Sequence, residues 1–453
     1  MIQVDDFLNN INASLHSPPK VVRDYFADVK EIVEKDQRGY TIVRPPFSHS
    51  SLPEVFGLER VPIEEADLNE PFFYFVGMHH NDVYTAKHLD RLNPLILDAI
   101  RKKKCTLVLD NVMEGNQTTD FYTRLYMSAL NLNLPVSQIH YITNNIIADI
   151  NYAKYKDTHL SLIEDAGDTL RNDSKTNLKV HPVLWNAHDI RRLVKRGELP
   201  REVDIQQEIE YKANNLHKIK PFLKINRTGR LERDAFMLWV DQTDLYDKFD
   251  ISYPGMHLKP EEYLKLDKSS PLWKRWGHLY SKENLYSLNS KVPFDIDSTD
   301  STNHGEPGFG LNQFNADLPY QPQIYKDTFI SVVMCAFPYI EDACHIHSST
   351  FNPMWCGHPV IQFGPWQHLK YLKERGFKTF SKFWDESYDD IKDPDKRLKA
   401  IMRLVEKLSK KPKPELLEMY MDMAPILEYN IGVLRNYNEM HKIKAKIVGK
   451  SLM

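Results

Sequence analysis

Three apolar runs in the first third of the chain constrain its fold most. PFFYFVG (Pro71–Gly77), CTLVLD (Cys105–Asp110) and QIHYITNN (Gln138–Asn145) each read as a buried strand. The segments between them have helical spacing. HLDRLNPLILDAIRKKK sets Leu92, Leu95, Ile96 and Ile100 on one stripe, and TDFYTRLYMSALNLN is amphipathic. Strand and helix alternating at this spacing predict a parallel, doubly wound sheet. LKVHPVLW supplies a fourth strand, and residues 1–70 give no clear architecture.

A second series starts at Phe222–Ile225. It continues through the helical segment ERDAFMLWVDQTDLYDKF, the strands FISVVMCAF and HPVIQFG, and the helix of HLKYLKERG. Between its first helix and its later strands, Ser252–Gln323 is rich in Pro, Asn, Asp and Ser and reads as a long loop, roughly 255–320. Two helices end the chain, DKRLKAIMRLVEKLSKK and PELLEMYMDMAPILEYNIGVLRNYNEMHK. The expectation is two Rossmann-like α/β domains facing a cleft, at 1–205 and 206–435, followed by a basic helical tail at 436–453. A chain of 453 residues is long enough for both. Ligands of such sheets sit beyond the carboxyl ends of strands, so those ends are where chemistry is sought.

The formal net charge of −3 means that any contact with nucleic acid must come from a local basic patch. Four scattered cysteines without a CxxC pair argue against a zinc site or a disulfide framework. MIQVDDFLNNIN lacks the apolar core of a signal peptide. No apolar run approaches the roughly 20 residues that span a bilayer. A cytoplasmic protein without membrane partners is expected.

FLKINRTGRLERD ends a strand and at once sets out Arg227, Arg230 and Arg233. Steps of three hold these side chains on one broad face at the start of a helix. A helix N-terminus carries partial positive charge and free N–H groups, and guanidinium forks beside it suit a diphosphate. Pairing with Glu232 and Asp234 on a solvated face explains the spacing equally well.

From His347 to Asp390 the chain reads HSSTFNPMWCGHPVIQFGPWQHLKYLKERGFKTFSKFWDESYDD. This segment resembles the C-terminal motif of a GT-B glycosyltransferase group common in bacteriophages and distantly similar to fucosyltransferases. The matching parts are Asn352–Pro353, His358–Gly364, Tyr371–Phe380 and Asp385–Asp389, and Gly376–Asp389 is the most specific of them. Asn226–Arg233 resembles the group's arginine signature after a donor-domain strand, and LDNVMEGN and YITNN resemble its N-terminal strand ends. The resemblance covers most of residues 70–410. It implies a metal-independent transfer of sugar from a nucleotide sugar, a UDP-sugar foremost, with no tightly bound cofactor. Asn226, Arg227, Arg230 and Arg233 would face the donor diphosphate, and the arginines would offset leaving-group charge. Relatives usually carry Glu-Lys-Thr-x-Lys-Pro where this chain has Ser348, Ser349, Thr350, Phe351, Asn352 and Pro353. The three hydroxyls would then donate to phosphate or sugar. A non-catalytic descendant that binds a nucleotide or glycan is the competing reading.

The general base would come from the other domain. Asp110, Glu114 and His79 stand at strand ends, beside His80. A helix N-cap or a loop hydrogen bond for Asp110 and a surface loop for the histidines are the plain alternatives. Asp295–Ile296–Asp297 forms a DxD triplet, but two carboxylates in a Pro/Ser-rich stretch make a poor magnesium site. Basic clusters occur at Arg101–Lys104, around Arg191 to Arg196, and at Lys442 to Lys450. The resemblance suggests modified double-stranded phage DNA such as hydroxymethylcytosine as the acceptor, with the base flipped out, and these clusters would then track its phosphate backbone. A glycan or protein acceptor is the alternative.

Overall fold

The computed structural model describes residues 20–23, 32–35, 41–44, 47–48, 50, 52–58, 60–78, 89–112, 119–160, 177–197, 203–226, 230–253, 255–269, 271–292, 325–335, 338–340 and 343–448. The chain divides into two compact units. The first comprises Met1–His188, Ile340–His345 and Asn438–Met453; the second comprises Asp189–Tyr339 and Ile346–Tyr437.

The first unit is built on a mainly parallel sheet. Its strands are β1 (Lys20–Arg23), β4 (Phe47–Ser48), β5 (Arg60–Pro62), β6 (Phe72–Met78), β7 (Cys105–Asn111), β8 (Ile139–Thr143) and β9 (Lys179–Pro182). They run in the order β5-β1-β6-β7-β8-β9, with β4 antiparallel on β6, while β2 (Ile32–Lys35) and β3 (Thr41–Arg44) form a separate antiparallel pair. Residues 1–70, which show no pattern in the sequence, thus contribute five strands.

The continuous apolar character of β6 follows from cover on both faces. Phe72, Tyr74, Val76 and Met78 face a core with α1 (Pro94–Arg101), α2 (Thr119–Asn131) and α3 (Ala148–Tyr155). Phe73 and Phe75 face the opposite way, with Val108, Ile142, Leu52, Phe56 and Trp185. Trp185 opens α4 (Trp185–Arg196). Met440, Ile443, Ile447 and Val448 of a C-terminal helix complete that second layer. The expected basic tail is therefore a helix whose apolar stripe is part of the first unit's core.

The second unit carries a four-stranded parallel sheet in the order β11-β10-β12-β13, made of β10 (Lys220–Ile225), β11 (Phe249–Ser252), β12 (Thr328–Met334) and β13 (Val360–Phe363). The numbered helices here are α5 (Ile205–Asn214), α6 (Leu231–Gln242), α7 (Lys282–Lys291), α8 (Ser348–Trp355), α9 (His368–Glu374), α10 (Pro394–Ser409) and α11 (Lys413–Asn436). The helix expected to run through DLYDKF stops at Gln242, where Asp244 turns to φ 53°, and Phe249 starts β11 instead. Within the expected 255–320 loop, Pro260–Leu264, Pro271–Trp276 and α7 are helical, and 293–324 lie outside the described residues.

Two long helices end the second unit, and a third, shorter one follows within the expected basic tail. α11 buries Leu416, Tyr420, Met423, Leu427, Ile431 and Leu434, a stripe at helical spacing. It stops at Asn436, and α12 (Glu439–Val448) follows. No described helix is long and apolar enough to cross a membrane.

Candidate active site

In the second sheet the chain leaves β10 through α6 to reach β11, and leaves β12 through α8 to reach β13. These steps run in opposite directions along the strand order. Right-handed crossovers then put α6 and α8 on opposite faces, and the strands part between the carboxyl ends of β10 and β12.

Asn226 stands at that point. Its N–H donates to the Ser252 carbonyl at 2.7 Å. Its side chain is buried, and neither amide atom has a hydrogen-bonding partner among the described residues. Arg230 occupies the N-cap position of α6 in extended conformation and gives the helix no side-chain cap. Arg233, on the first turn, donates from Nη2 to the Met334 carbonyl at 3.2 Å and so ties α6 to the end of β12. Burial, with the charge of Arg230 beside it, pulls its guanidinium down to about 10. Asn226, Arg230 and Arg233 are brought together here; Arg227 lies outside the described residues.

Ser348, Ser349 and Thr350 open α8 with His347 as N-cap. His347 Nδ1 accepts from the Ser349 N–H at 3.2 Å and lies 3.1 Å from Ser348 Oγ. Thr350 is fully buried, and its hydroxyl accepts from Gln362 Nε2 of β13 at 2.8 Å. The same amide reaches Cys335, a buried thiol that the sequence reading passed over. His345, by contrast, bridges to Asn145 beside β8, with Nε2 3.1 Å from Asn144 Nδ2.

The block that carries the most specific resemblance is spent on scaffolding. Glu386 accepts from Thr379 Oγ1 at 2.6 Å and the Phe380 N–H at 2.8 Å. Asp389 accepts from the Leu369 and Lys370 N–H groups, both at 3.1 Å, and so caps α9. Asp385 accepts from the Ser387 N–H at 2.9 Å.

In the first unit, Asp110 lies at the carboxyl end of β7, paired with Gly77 of β6. One carboxylate oxygen accepts from the Val112 N–H at 3.1 Å, a loop bond; the other accepts from Ser50 Oγ at 2.6 Å. Burial pushes the carboxyl up to about 6, with the Ser50 hydroxyl, the Val112 N–H and Arg60 pulling the other way. Arg60 donates to the Ser50 carbonyl and to Glu54, so it fixes the segment that presents Ser50. Sequence reasoning missed Ser50 and Arg60, because nothing local in SHSSLPEVFGLER marks them. His79, His80, Glu114, Asp295 and Asp297 lie outside the described residues. Among the described residues no group of three or more His, Cys, Asp or Glu is placed to hold a metal ion.

Arg101 to Lys104 are exposed. Arg191 donates to the Tyr437 carbonyl at 3.1 Å, and Arg192 pairs with Asp189 at 2.7 Å.

These features define an α/β protein of two units, each on a mainly parallel sheet with buried polar residues at its strand ends. Comparison with protein-family models and with curated proteins finds no match for this chain.

Proposed function

We propose that the protein is a nucleotide-sugar-dependent glycosyltransferase of the GT-B kind. The observation that carries this reading is Asn226, a buried side chain with both polar atoms unpartnered, at the switch point of a parallel sheet and beside two arginines on a helix start. Buried amides are rarely left unbonded, and a polar ligand at the strand end supplies what is missing. The ligand class that suits helix N–H groups and guanidinium forks is a diphosphate. Arg227, Arg230 and Arg233 hold the donor, a UDP-sugar, and stabilise the departing nucleoside diphosphate. Ser348 and Ser349 offer further hydroxyls at the start of α8.

On the acceptor side, Asp110 takes the proton of the attacking hydroxyl. A carboxyl that titrates near 6 accepts a proton close to neutral pH more readily than an ordinary aspartate does. Glu114 and His79 are the other groups to be tested in that role. Hydroxymethylcytosine in double-stranded DNA is the acceptor we carry forward, with exposed Arg101–Lys104 available to backbone phosphates. Incubation with UDP-sugars should release UDP faster when hydroxymethylated duplex DNA is present. Stimulation by oligosaccharide alone would assign a glycan acceptor. Arg227→Ala should fold normally and lose at least about a hundred-fold in turnover; an unchanged rate would return the arginines to a solvated basic face.

A further inference from the structure

Two buried polar side chains, two residues apart, stand at the carboxyl end of β10 and just beyond it. Asn226 is one. The other is Lys224, fully buried, whose Nζ has no hydrogen-bonding partner among the described residues and lies 5.5 Å from the centre of the Phe236 ring of α6. Its charged and titratable surroundings are Arg233 and Glu232 from α6 and Cys335 after β12. Asp234, next along α6, is occupied: it accepts from the Tyr253 and Tyr263 hydroxyls and from the His257 N–H at 2.7 Å. Ile251 is its neighbour on β11.

The other buried lysine among the described residues is treated quite differently. Lys212 Nζ donates to the carbonyls of Tyr325, Lys326 and Thr328 at 3.1, 2.8 and 2.7 Å. A lysine kept as a strut is given acceptors. An ammonium in a dry setting with none, next to a guanidinium, is strongly disfavoured. Burial first, and Arg233 second, hold Lys224 far below the ordinary lysine range. What relieves this is an anion whose oxygens accept from the amine, at the place where Asn226 also lacks a partner.

Resting on the donor reading above, we propose that Lys224 is an uncharged amine in the ligand-free protein and becomes an ammonium when a nucleoside diphosphate binds, one proton entering from solvent per ligand. No other bond is made or broken. Calorimetric titration with UDP at pH 8, where its phosphates are already ionised, tests this in two buffers of unlike ionisation heat. The native protein should take up about one proton. Lys224→Met should take up none and bind about ten- to a hundred-fold more weakly. Its melting temperature should not fall, since methionine fills the site without an unpaired amine. Lys224→Arg, charged throughout, should also take up none and guards against a misfolded methionine variant. Binding by the native protein without buffer-dependent heat would overturn the proposal and leave the donor site standing. So would equal uptake by the variants. No binding of UDP at all would remove the donor reading itself.

Discussion

At the scale of single residues, Asp110 is one whose burial works against the fold. Its carboxyl titrates near 6 in the folded chain against an ordinary 3.8. The folded state therefore holds the proton more tightly, so stability falls as pH rises from about 4 to about 6, and the penalty persists above that. A shift of this size corresponds to about 3 kcal/mol. Asp110→Asn should raise stability at pH 7.5 by about 1–2 kcal/mol, read from urea unfolding midpoints, while turnover is lost. A drop in stability would make the residue a structural one. Ser50→Ala removes a donor that favours the ionised form, so the acid limb of the kcat/KM profile should move to higher pH. An unmoved limb would separate Asp110 from the proton transfer. The sequence shows Asp110 as a carboxylate closing an apolar strand, but Ser50 is 60 residues away in the chain and only the fold brings them together.

Elements differed in legibility for a physical reason. β6, β7, β8, β12 and β13 are buried along nearly their whole length and so read as mostly apolar runs. β5 is three residues long and β11 reads FDIS, so neither stands out from loop. The packing of α12 was hidden by its composition: in EMHKIKAKIV the lysines suggest a solvated helical tail, while Met440, Ile443, Ile447 and Val448 make the stripe that counts. The arginine cluster was legible as a helix start, whereas the unbonded state of Asn226 and Lys224 depends on what surrounds them in space. Ile447, with no exposed surface, gives the test. Ile447→Ala should cost about 2–5 kcal/mol in urea unfolding; a loss under about 1 kcal/mol would mean that α12 rests on the sheet without holding it.

For the molecule as a whole, the units are interleaved along the chain. The first unit runs to His188 and takes back Ile340–His345 and Asn438–Met453. Within it, the Ile146 N–H donates to the Cys344 carbonyl and the Cys344 N–H to Asn145 Oδ1, each at 3.0 Å. A fragment of residues 1–205 lacks both returning segments and should unfold without a cooperative transition. Joining 438–453 behind residue 188 by a Gly/Ser linker should restore one, followed by circular dichroism against urea. Equal cooperativity of the bare fragment would show that α12 is dispensable.

The late position of α12 also bears on synthesis. One face of the N-terminal sheet, with Phe73, Phe75, Val108 and Ile142, waits for a helix encoded some 250 residues downstream of His188. At ribosomal speeds of about 5–20 residues per second that interval lasts on the order of tens of seconds. Through it the nascent chain carries a greasy surface that Leu52, Phe56 and Trp185 cover only in part, and a chaperone that shields such surfaces has its natural window there.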